Sequence, residues 1–283
     1  MAHKLPEQLK ILVDLLAAEG DEVQIHIDKK ADERAFTKVL PPSANVRFSK
    51  VRFNVHWGGY SQVKCVLYGL NSFLKSDCDY FFLLSGQDLP LKPLSELKRF
   101  IRENKGRLFM QLDTAENNWG KKHARISKYY LVDRWAALKQ KAPRFSSLID
   151  KAEALYHYSQ FFVKRKFRKQ LFGGSAWFVI EPTAARYIID RVEKEPQWER
   201  FFRFTISPDE MIFHTILGNS PFRNNISAGL TFARFSRGSR NPDIIRETEI
   251  EDLINTGHFF ARKFDGEVDR LAIKRLSAWH AKG

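Results

Sequence analysis

The run Tyr80-Phe81-Phe82-Leu83-Leu84 continues directly into Ser85-Gly86-Gln87-Asp88-Leu89-Pro90. Five apolar and aromatic residues in succession are typical of a strand that is buried on both faces, and the residues that follow have the chemistry of a turn. Open α/β sheets bind their ligands beyond the carboxyl ends of such strands. The segment 85–88 is therefore the first candidate for a functional site.

Helical and strand patterns alternate around this run. Apolar spacing predicts helices at 6–18, 61–75 and about 94–103, and short apolar runs predict strands at 23–27, near 46–51 and about 107–112. This alternation predicts an α/β fold with a mostly parallel central sheet flanked by helices. Asp28 follows the first predicted strand, so it should lie at the same edge of the sheet as segment 85–88.

The remainder of the chain has a less regular pattern. A glycine turn at 173–174 leads into a strand, a helix begins at Pro182, Ser207-Pro208-Asp209-Glu210 opens a helix of about 208–217, and Phe259-Phe260-Ala261-Arg262-Lys263-Phe264 precedes a terminal helix. No repeat and no flexible linker separates these segments. We therefore expect residues 1–283 to form a single domain.

Composition narrows the class of protein. The 283 residues include 47 Lys or Arg against 33 Asp or Glu, a net charge of +14, and only two cysteines. This excess of positive charge fits nucleic acid, an anionic membrane surface or a phosphate-bearing small molecule. No apolar run approaches the length of about 18 residues that a membrane span requires, and the first 28 residues do not resemble a signal peptide. We expect a soluble, cytoplasmic protein.

Several common chemistries have no motif here. The sequence contains no P-loop, no Gly-x-Gly-x-x-Gly and no His-Glu-x-x-His. Its one Asp-x-Asp pair, Asp77-Cys78-Asp79, precedes the strand at 80–84, whereas a nucleotide-sugar metal would need it at the other end. We therefore expect neither a metal site nor a cofactor.

Three segments allow both a structural and a functional interpretation. Glu210 could simply complement a helix dipole behind a Ser207 cap, or it could act as a general base. Arg262 and Lys263 could alternate along a half-exposed strand, or they could neutralise a diphosphate. The stretch 161–172, with five basic residues among aromatics, could be a solvated helix face or a site for anionic lipid.

Six segments, taken in order, resemble one family. They are His26-Ile27-Asp28-Lys29-Lys30, Trp57-Gly58-Gly59, segment 84–92, Gly174-Ser175-Ala176-Trp177-Phe178, Ser207-Pro208-Asp209-Glu210 and Phe260-Ala261-Arg262-Lys263-Phe264. The order of these segments and their residues resemble those of a soluble, bacterial-type member of the core-2/I-branching β-1,6-N-acetylglucosaminyltransferases, to which the peptide O-xylosyltransferases are related. The resemblance spans nearly the whole chain, except about 113–170, where acceptor contacts are expected.

The resemblance implies a GT-A-like nucleotide-sugar fold that lacks a metal-binding Asp-x-Asp motif. It implies a nucleotide-binding half at 1–112 and an acceptor-binding and catalytic half at 113–283. The family uses the end of its first strand for uridine, ahead of a segment like Ala2-His3-Lys4. The sequence opens at this segment, so we expect either that its start is truncated or that this edge of the sheet is incomplete.

The resemblance also implies roles for individual residues. Glu210 would be the catalytic base, and Asp28, Trp57, Arg240 and Lys263 would bind the UDP-sugar, with Arg237 or Arg246 as alternatives to Arg240. Further residues expected near donor or acceptor are His3, Asp88, Asp113 and Trp177.

We therefore expect metal-independent, inverting transfer of a sugar from a UDP-sugar to the hydroxyl of a glycan or lipid-linked glycan. N-acetylglucosamine is the expected sugar, because the xylosyl relatives tend to carry Asp where this chain has Ala176. The alternatives are β-xylosyl transfer, or a basic protein that binds polyanions or lipid without turnover. Nucleic acid is not an expected partner, whereas a peripheral contact at the inner face of an anionic membrane is.

Overall fold

The computed structural model describes residues 1–114, 124–239 and 241–280. These residues form twelve α-helices: α1 Pro6–Ala18, α2 Glu33–Val39, α3 Tyr60–Phe73, α4 Leu94–Glu103, α5 Ala124–Ser127, α6 Val132–Lys141, α7 Ser146–Ser159, α8 Pro182–Lys194, α9 Gln197–Phe202, α10 Ile212–Gly218, α11 Ile250–Ile254 and α12 Arg270–His280. The helices predicted at the start of the chain and after the turn at 85–90 are confirmed. Pro6 and Pro182 each stand in the first turn, where a missing backbone N–H costs nothing.

The strands are short. They are β1 Val23–Ile25, β2 Val46–Phe48, β3 Phe81–Phe82, β4 Leu89–Pro90, β5 Leu108–Phe109, β6 Asp113–Thr114, β7 Phe172–Gly173, β8 Val179–Ile180, β9 Ile226–Ser227, β10 Thr231–Ala233 and β11 Phe260–Arg262. Each lies within or next to an apolar run, but the regular hydrogen bonding covers only two or three residues. The predicted positions are confirmed for β1, β3 and β5, and their predicted lengths were too long.

The strands pair into small sheets whose directions are mixed. The central sheet has the order β3-β8-β5-β9, in which β8 is antiparallel to both β3 and β5, and β9 is parallel to β5. A second sheet has the order β10-β11-β4, β1 pairs with β2 in parallel, and β6 pairs with β7 antiparallel. The expected α/β, GT-A-like class is confirmed. The expectation of mostly parallel pairing is corrected, because β8 inserts antiparallel between β3 and β5, and an apolar run is compatible with either direction.

Helices cover the central sheet on both sides. The larger core packs α3 and α8 against it through residues such as Val63, Leu70 and Ile188, all fully buried. On the other side, α4 packs through Leu94 and Leu97 onto β5 and β11. The central sheet joins strands from before and after residue 112. The division into a nucleotide-binding half and an acceptor-binding and catalytic half stays a prediction.

An open groove runs beside β3. A cavity of about 630 Å³ lies between β1 and β3, with α1, α3 and α4 around it. Met1 and Ala2 lie at one end of the groove: Ala2 pairs in parallel with Ile27, and Gly86 N donates to Met1 O at 3.0 Å. The groove explains why Phe81 and Phe82 are only half-buried, against the expectation for that run. Of the predicted site residues that the structure describes, none lines it.

Candidate functional site

Glu210 stands at the end of a short 3₁₀ turn, Pro208–Glu210, which precedes α10. Two backbone hydrogen bonds fix this turn: Ser207 N donates to Gly58 O at 2.9 Å, and Gly174 N donates to Glu210 O at 3.0 Å. Three separate segments therefore meet at one point. The continuous helix predicted from 208 to 217 is corrected to this turn followed by α10, and the Ser207 side chain makes no capping hydrogen bond.

The Glu210 carboxylate forms an ion pair across the site. Its Oε2 lies 2.7 Å from Nη1 of Arg125 in α5, and each side chain is about one third exposed. Arg125 was not among the residues that the sequence predicted. It lies in the part of the chain that matches no motif, and the contact joins positions 85 residues apart, so no local pattern could indicate it.

Asp209 is more deeply buried than its neighbour Glu210. It is buried, and within the described part of the chain its Oδ1 has no hydrogen-bond partner. Burial, and next the adjacent Glu210 charge, raise the pKa of Asp209 to about 7. Of the two neighbouring carboxyls, only Glu210 is placed to meet a substrate.

Arg262 is enclosed between two predicted site residues. Its guanidinium lies 3.9 Å from the centre of the Trp177 ring, and its Nη1 lies 3.7 Å from Oδ1 of Asp88. Burial lowers the pKa of Arg262, an effect that Asp88 opposes. The half-exposed strand that would have explained Arg262 is not found, because all of β11 is buried.

Asp88 is itself fully buried and does not reach solvent. Its carboxylate accepts hydrogen bonds from Ser85 N at 2.8 Å and from Ser85 Oγ at 2.6 Å. Asp88 therefore fixes the turn at 85–88 and contacts the Arg262 guanidinium from the protein interior. This geometry fits a residue that positions Arg262 and not one that touches a ligand.

Lys263 belongs to a group of positive charges near the start of the chain. Burial lowers the pKa of Lys263, and the charges of Lys4 and Arg262 lower it further. Burial and Lys4 likewise lower the pKa of His3, with contributions from Lys263 and Lys30. Asp265, which pairs with Lys4 at 2.6 Å, opposes the lowering of the Lys263 pKa, and an anion bound beside Lys263 would act in the same direction.

Asp28 is buried at the end of β1 and is held by Lys30. It accepts from Lys30 N at 2.8 Å and from Lys30 Nζ at 2.9 Å. Lys30 Nζ also donates to Asn54 Oδ1 at 3.0 Å and to the carbonyl of Val55. These contacts anchor the segment that continues to Trp57.

Trp57 is 54 % exposed and stands directly before Gly58, whose carbonyl holds the Glu210 turn. Segment 53–59 therefore runs from the Asp28 end of the site to the Glu210 end. An exposed indole at this point is available for stacking on a sugar or a base.

Asp113 lies in β6 directly opposite Gly173, one residue before the glycine that binds the Glu210 carbonyl. Its Oδ2 accepts from the Gln111 amide at 2.7 Å. Asp113 thus lies beside the glycine segment that holds Glu210.

The predicted arginines of the loop 234–246 differ in their placement. Arg240 lies outside the described residues. Arg237 is exposed, and the exposed Arg246 donates to Val268 O at 3.2 Å. Arg234 forms ion pairs with Asp243 and Glu249. The choice of the arginine that joins Lys263 stays a prediction.

These contacts link Glu210 to Lys263 through a series of residues, here called the wall. It runs from Glu210 through Gly174 to Trp177, and from there across the ring to Arg262 and its neighbour Lys263. A carboxylate at one end and cations at the other, on an α/β fold, are the elements of a glycosyltransferase site.

The comparison with known families agrees with this class. Residues 7–255 match the profile described as Branch: Core-2/I-Branching enzyme. The chain belongs to the Core-2/I-Branching enzyme family, and the predicted family and the predicted glycosyltransferase class are confirmed.

The curated relatives include xylosyltransferases. The chain is 26% identical over 300 residues to xylosyltransferase 2 of Rattus norvegicus, with 95% of this chain and 32% of the relative aligned. It is 26% identical over 279 residues to xylosyltransferase sqv-6 of Caenorhabditis briggsae, covering 88% of this chain and 32% of that one. It is 24% identical over 301 residues to xylosyltransferase oxt of Drosophila pseudoobscura pseudoobscura, covering 96% and 32%. The chain thus spans about a third of the length of these relatives.

Proposed function

We propose that this protein transfers a sugar from a UDP-sugar to a glycan hydroxyl with inversion at the anomeric carbon. In this reaction the acceptor oxygen forms a bond to C1 of the sugar while the bond from C1 to the diphosphate oxygen breaks. The acceptor proton moves to Glu210, and the electron pair of the broken bond leaves with UDP. An inverting displacement of this type needs one base on the face opposite the leaving group.

The roles of the two ends of the wall follow from charge. The Glu210 Oε2 is held by Arg125, and we assign proton acceptance to the other carboxylate oxygen, for which the described residues provide no hydrogen-bond donor. Lys263, with Lys4 and Arg262 near it, is proposed to stabilise the negative charge that develops on the departing diphosphate. Trp177 and Asp88 hold Arg262 in place for this task.

One observation carries the proposal: the hydrogen bond from Gly174 N to Glu210 O joins the base to the wall that ends at the cations. Without that connection, Glu210 would be an acidic residue in a helix first turn, and Lys263 a lysine next to a strand. With it, Glu210 and Lys263 belong to one series of contacts, which supports their assignment to one site.

Two donors compete for this proposal. N-acetylglucosamine is favoured by Ala176, where the xylosyl relatives tend to carry Asp, and xylose is favoured by the names of the curated relatives. A screen that measures UDP release with UDP-N-acetylglucosamine, UDP-xylose and UDP-glucose, with and without glycan acceptors, separates them. We expect acceptor-dependent release with UDP-N-acetylglucosamine, and a preference for UDP-xylose would assign the second candidate. Absence of turnover with every UDP-sugar would reject the enzyme proposal in favour of a binding protein.

We further propose that transfer does not depend on a metal ion, because Lys263 and the cations near it could supply the charge compensation that the departing diphosphate needs. Turnover is expected to survive EDTA at full rate. If chelation stops turnover and Mn²⁺ restores it, this part of the proposal fails while the assignment of Glu210 is unaffected. The expected cytoplasmic location stays a prediction; among the described residues no helix combines the length and hydropathy of a membrane span.

A further inference from the structure

Helix α7 and the turn that follows it expose a row of large apolar side chains. Helix α7 buries none of its residues. The exposed apolar residues, here called the apolar face, are Leu148, Leu155, Tyr158, Phe161 and Phe162. Phe162 is 90 % exposed and Phe161 is 74 % exposed, fractions that are rare for phenylalanine unless a surface contacts a partner.

The fold holds this face outward. Gln160, directly before the two phenylalanines, is buried and exchanges hydrogen bonds with Tyr129 N and Tyr129 O at 2.7 and 2.9 Å. After them, Arg165 donates to the carbonyls of Lys128 and Phe204 at 2.8 and 2.7 Å and stacks on Tyr129. Because both ends of the turn are fixed, the phenylalanines cannot fold back into the core.

The structure corrects one interpretation of this stretch. Residues 163–171 are not a solvated helix face but an extended segment, in which exposed and partly buried residues alternate. Phe167 packs among the rings of Trp198, Phe201 and Phe202. Arg165 is engaged in hydrogen bonds to backbone carbonyls of the fold. The cations at Lys164, Lys166 and Arg168 point to the outside.

Positive charge surrounds the apolar face. Lys151, Lys164, Lys166 and Arg168, here called the basic rim, are exposed, and among the described residues none of them makes an ion pair. The two acidic residues of α7, Asp150 and Glu153, are both engaged by Lys139 at 2.6 and 2.7 Å. The net field of this surface is therefore positive.

We propose that the apolar face and the basic rim together bind the surface of an anionic lipid bilayer. Aromatic and aliphatic side chains enter the boundary between headgroups and acyl chains, while lysine and arginine remain among the anionic headgroups. A second copy of this chain is a poorer occupant, because pairing the two faces would bring two basic rims together on a protein of charge +14.

The surface formed by the apolar face and the basic rim is connected to the candidate site through helix α6. Helices α6 and α7 form a hairpin, and α6 contacts both segment 53–59 and the start of α3. The Asp133 carboxylate accepts from Ser61 Oγ at 2.6 Å, and Gln140 Oε1 accepts from Asn54 Nδ2 at 2.9 Å. A bilayer bound to α7 would hold the candidate site near a glycan attached to lipid. This last step rests on the proposed function, whereas lipid binding does not.

Vesicle co-sedimentation tests the proposal with two variants that separate charge from apolar insertion. The first is Lys164→Ser/Lys166→Ser/Arg168→Ser, which spares Arg165 because its loss would disturb the fold. The second is Phe161→Ser/Phe162→Ser. The matched control is Lys38→Ser/Lys105→Ser/Lys274→Ser, which removes three exposed positive charges elsewhere.

The wild type is expected to bind phosphatidylcholine vesicles that contain phosphatidylglycerol, and to release as salt rises. The rim variant should bind on the order of 100-fold more weakly, since each basic residue near an anionic surface contributes about 1 kcal/mol and about 1.4 kcal/mol is tenfold. The phenylalanine variant should lose at least about tenfold, and the control should bind as the wild type does.

Three outcomes would overturn the proposal. One is sedimentation of both variants like the wild type. Another is loss of binding in the rim variant with none in the phenylalanine variant, which would show general attraction to polyanions without insertion. The third is a dimer in ultracentrifugation that the phenylalanine variant dissociates. Affinity for UDP, measured in parallel, reports on the proposed donor site around Lys263 and should be equal in all four proteins.

Discussion

At the scale of single residues, Lys263 tests the diphosphate contact. Replacement by Ala should weaken the binding of UDP more than that of uridine, because only UDP carries the charge that Lys263 is proposed to neutralise. The loss of binding free energy caused by Lys263→Ala and the loss caused by removing the diphosphate from UDP should be coupled by about 0.5–3 kcal/mol, as expected for partners in direct contact. Calorimetric titration of UDP and uridine into wild type and Lys263→Ala measures this coupling, with Lys38→Ala as control. Strictly additive losses would move the diphosphate to another place.

Asp209 predicts a dependence of stability on pH. Its pKa is raised from 3.8 to about 7 in the folded protein, so between these values the folded state keeps a proton that the unfolded state loses. The stability contributed by this group is therefore lost as pH rises towards 7, at up to about 1.4 kcal/mol per pH unit.

The variant Asp209→Asn has no proton to lose, so its stability relative to wild type should rise from about pH 4 to about pH 7 and stay level above that. Urea unfolding across this range measures the difference, with the exposed Asp252→Asn as control. A constant difference between Asp209→Asn and wild type would show that Asp209 titrates normally.

At the scale of elements, the start of α3 depends on a close approach. A side chain at Gly59 would collide with the Asp133 carboxylate, which is itself held by Ser61 N at 3.0 Å and Ser61 Oγ at 2.6 Å. Gly59→Ala should lower the free energy of unfolding by about 1–3 kcal/mol, since overpacking forces the neighbours apart. It should also reduce turnover, because Gly58 next to it holds the Glu210 turn.

The control is Gly257→Ala, because a side chain at Gly257 would meet nothing within 4 Å. Thermal unfolding of both variants provides the measurement. Equal melting temperatures would show that Asp133 moves aside freely and that α3 and α6 are not locked together.

The elements also show how far local pattern predicts structure. Apolar spacing located α1, α4 and α8 well, because a helix depends on residues three and four apart. Strand direction could not be predicted, since β8 joins β3 and β5 through pairings that no local spacing encodes. The split between the 208–210 turn and α10 was also missed, because it depends on hydrogen bonds to Gly58 and Gly174.

At the scale of the whole molecule, six ordered segments predicted the family, but they did not show how the site is assembled. Gly174, Trp177, Glu210 and Lys263 all belong to those segments, and the fold joins them along one wall. Arg125 and the fixed outward position of Phe161 and Phe162 lay outside any recognisable motif. They result from contacts between distant parts of the chain, which a single sequence does not display.

The central claim is that Glu210 accepts the proton while cations elsewhere bind the diphosphate. The most direct measurement compares Glu210→Gln with wild type in both turnover and UDP binding, with the exposed Glu193→Gln as control. Turnover by Glu210→Gln should fall by about 10²–10⁴-fold, the usual contribution of a general base, while its affinity for UDP stays within about twofold. Turnover near the wild-type rate would contradict the account, and so would a loss of UDP affinity that matches the loss of turnover.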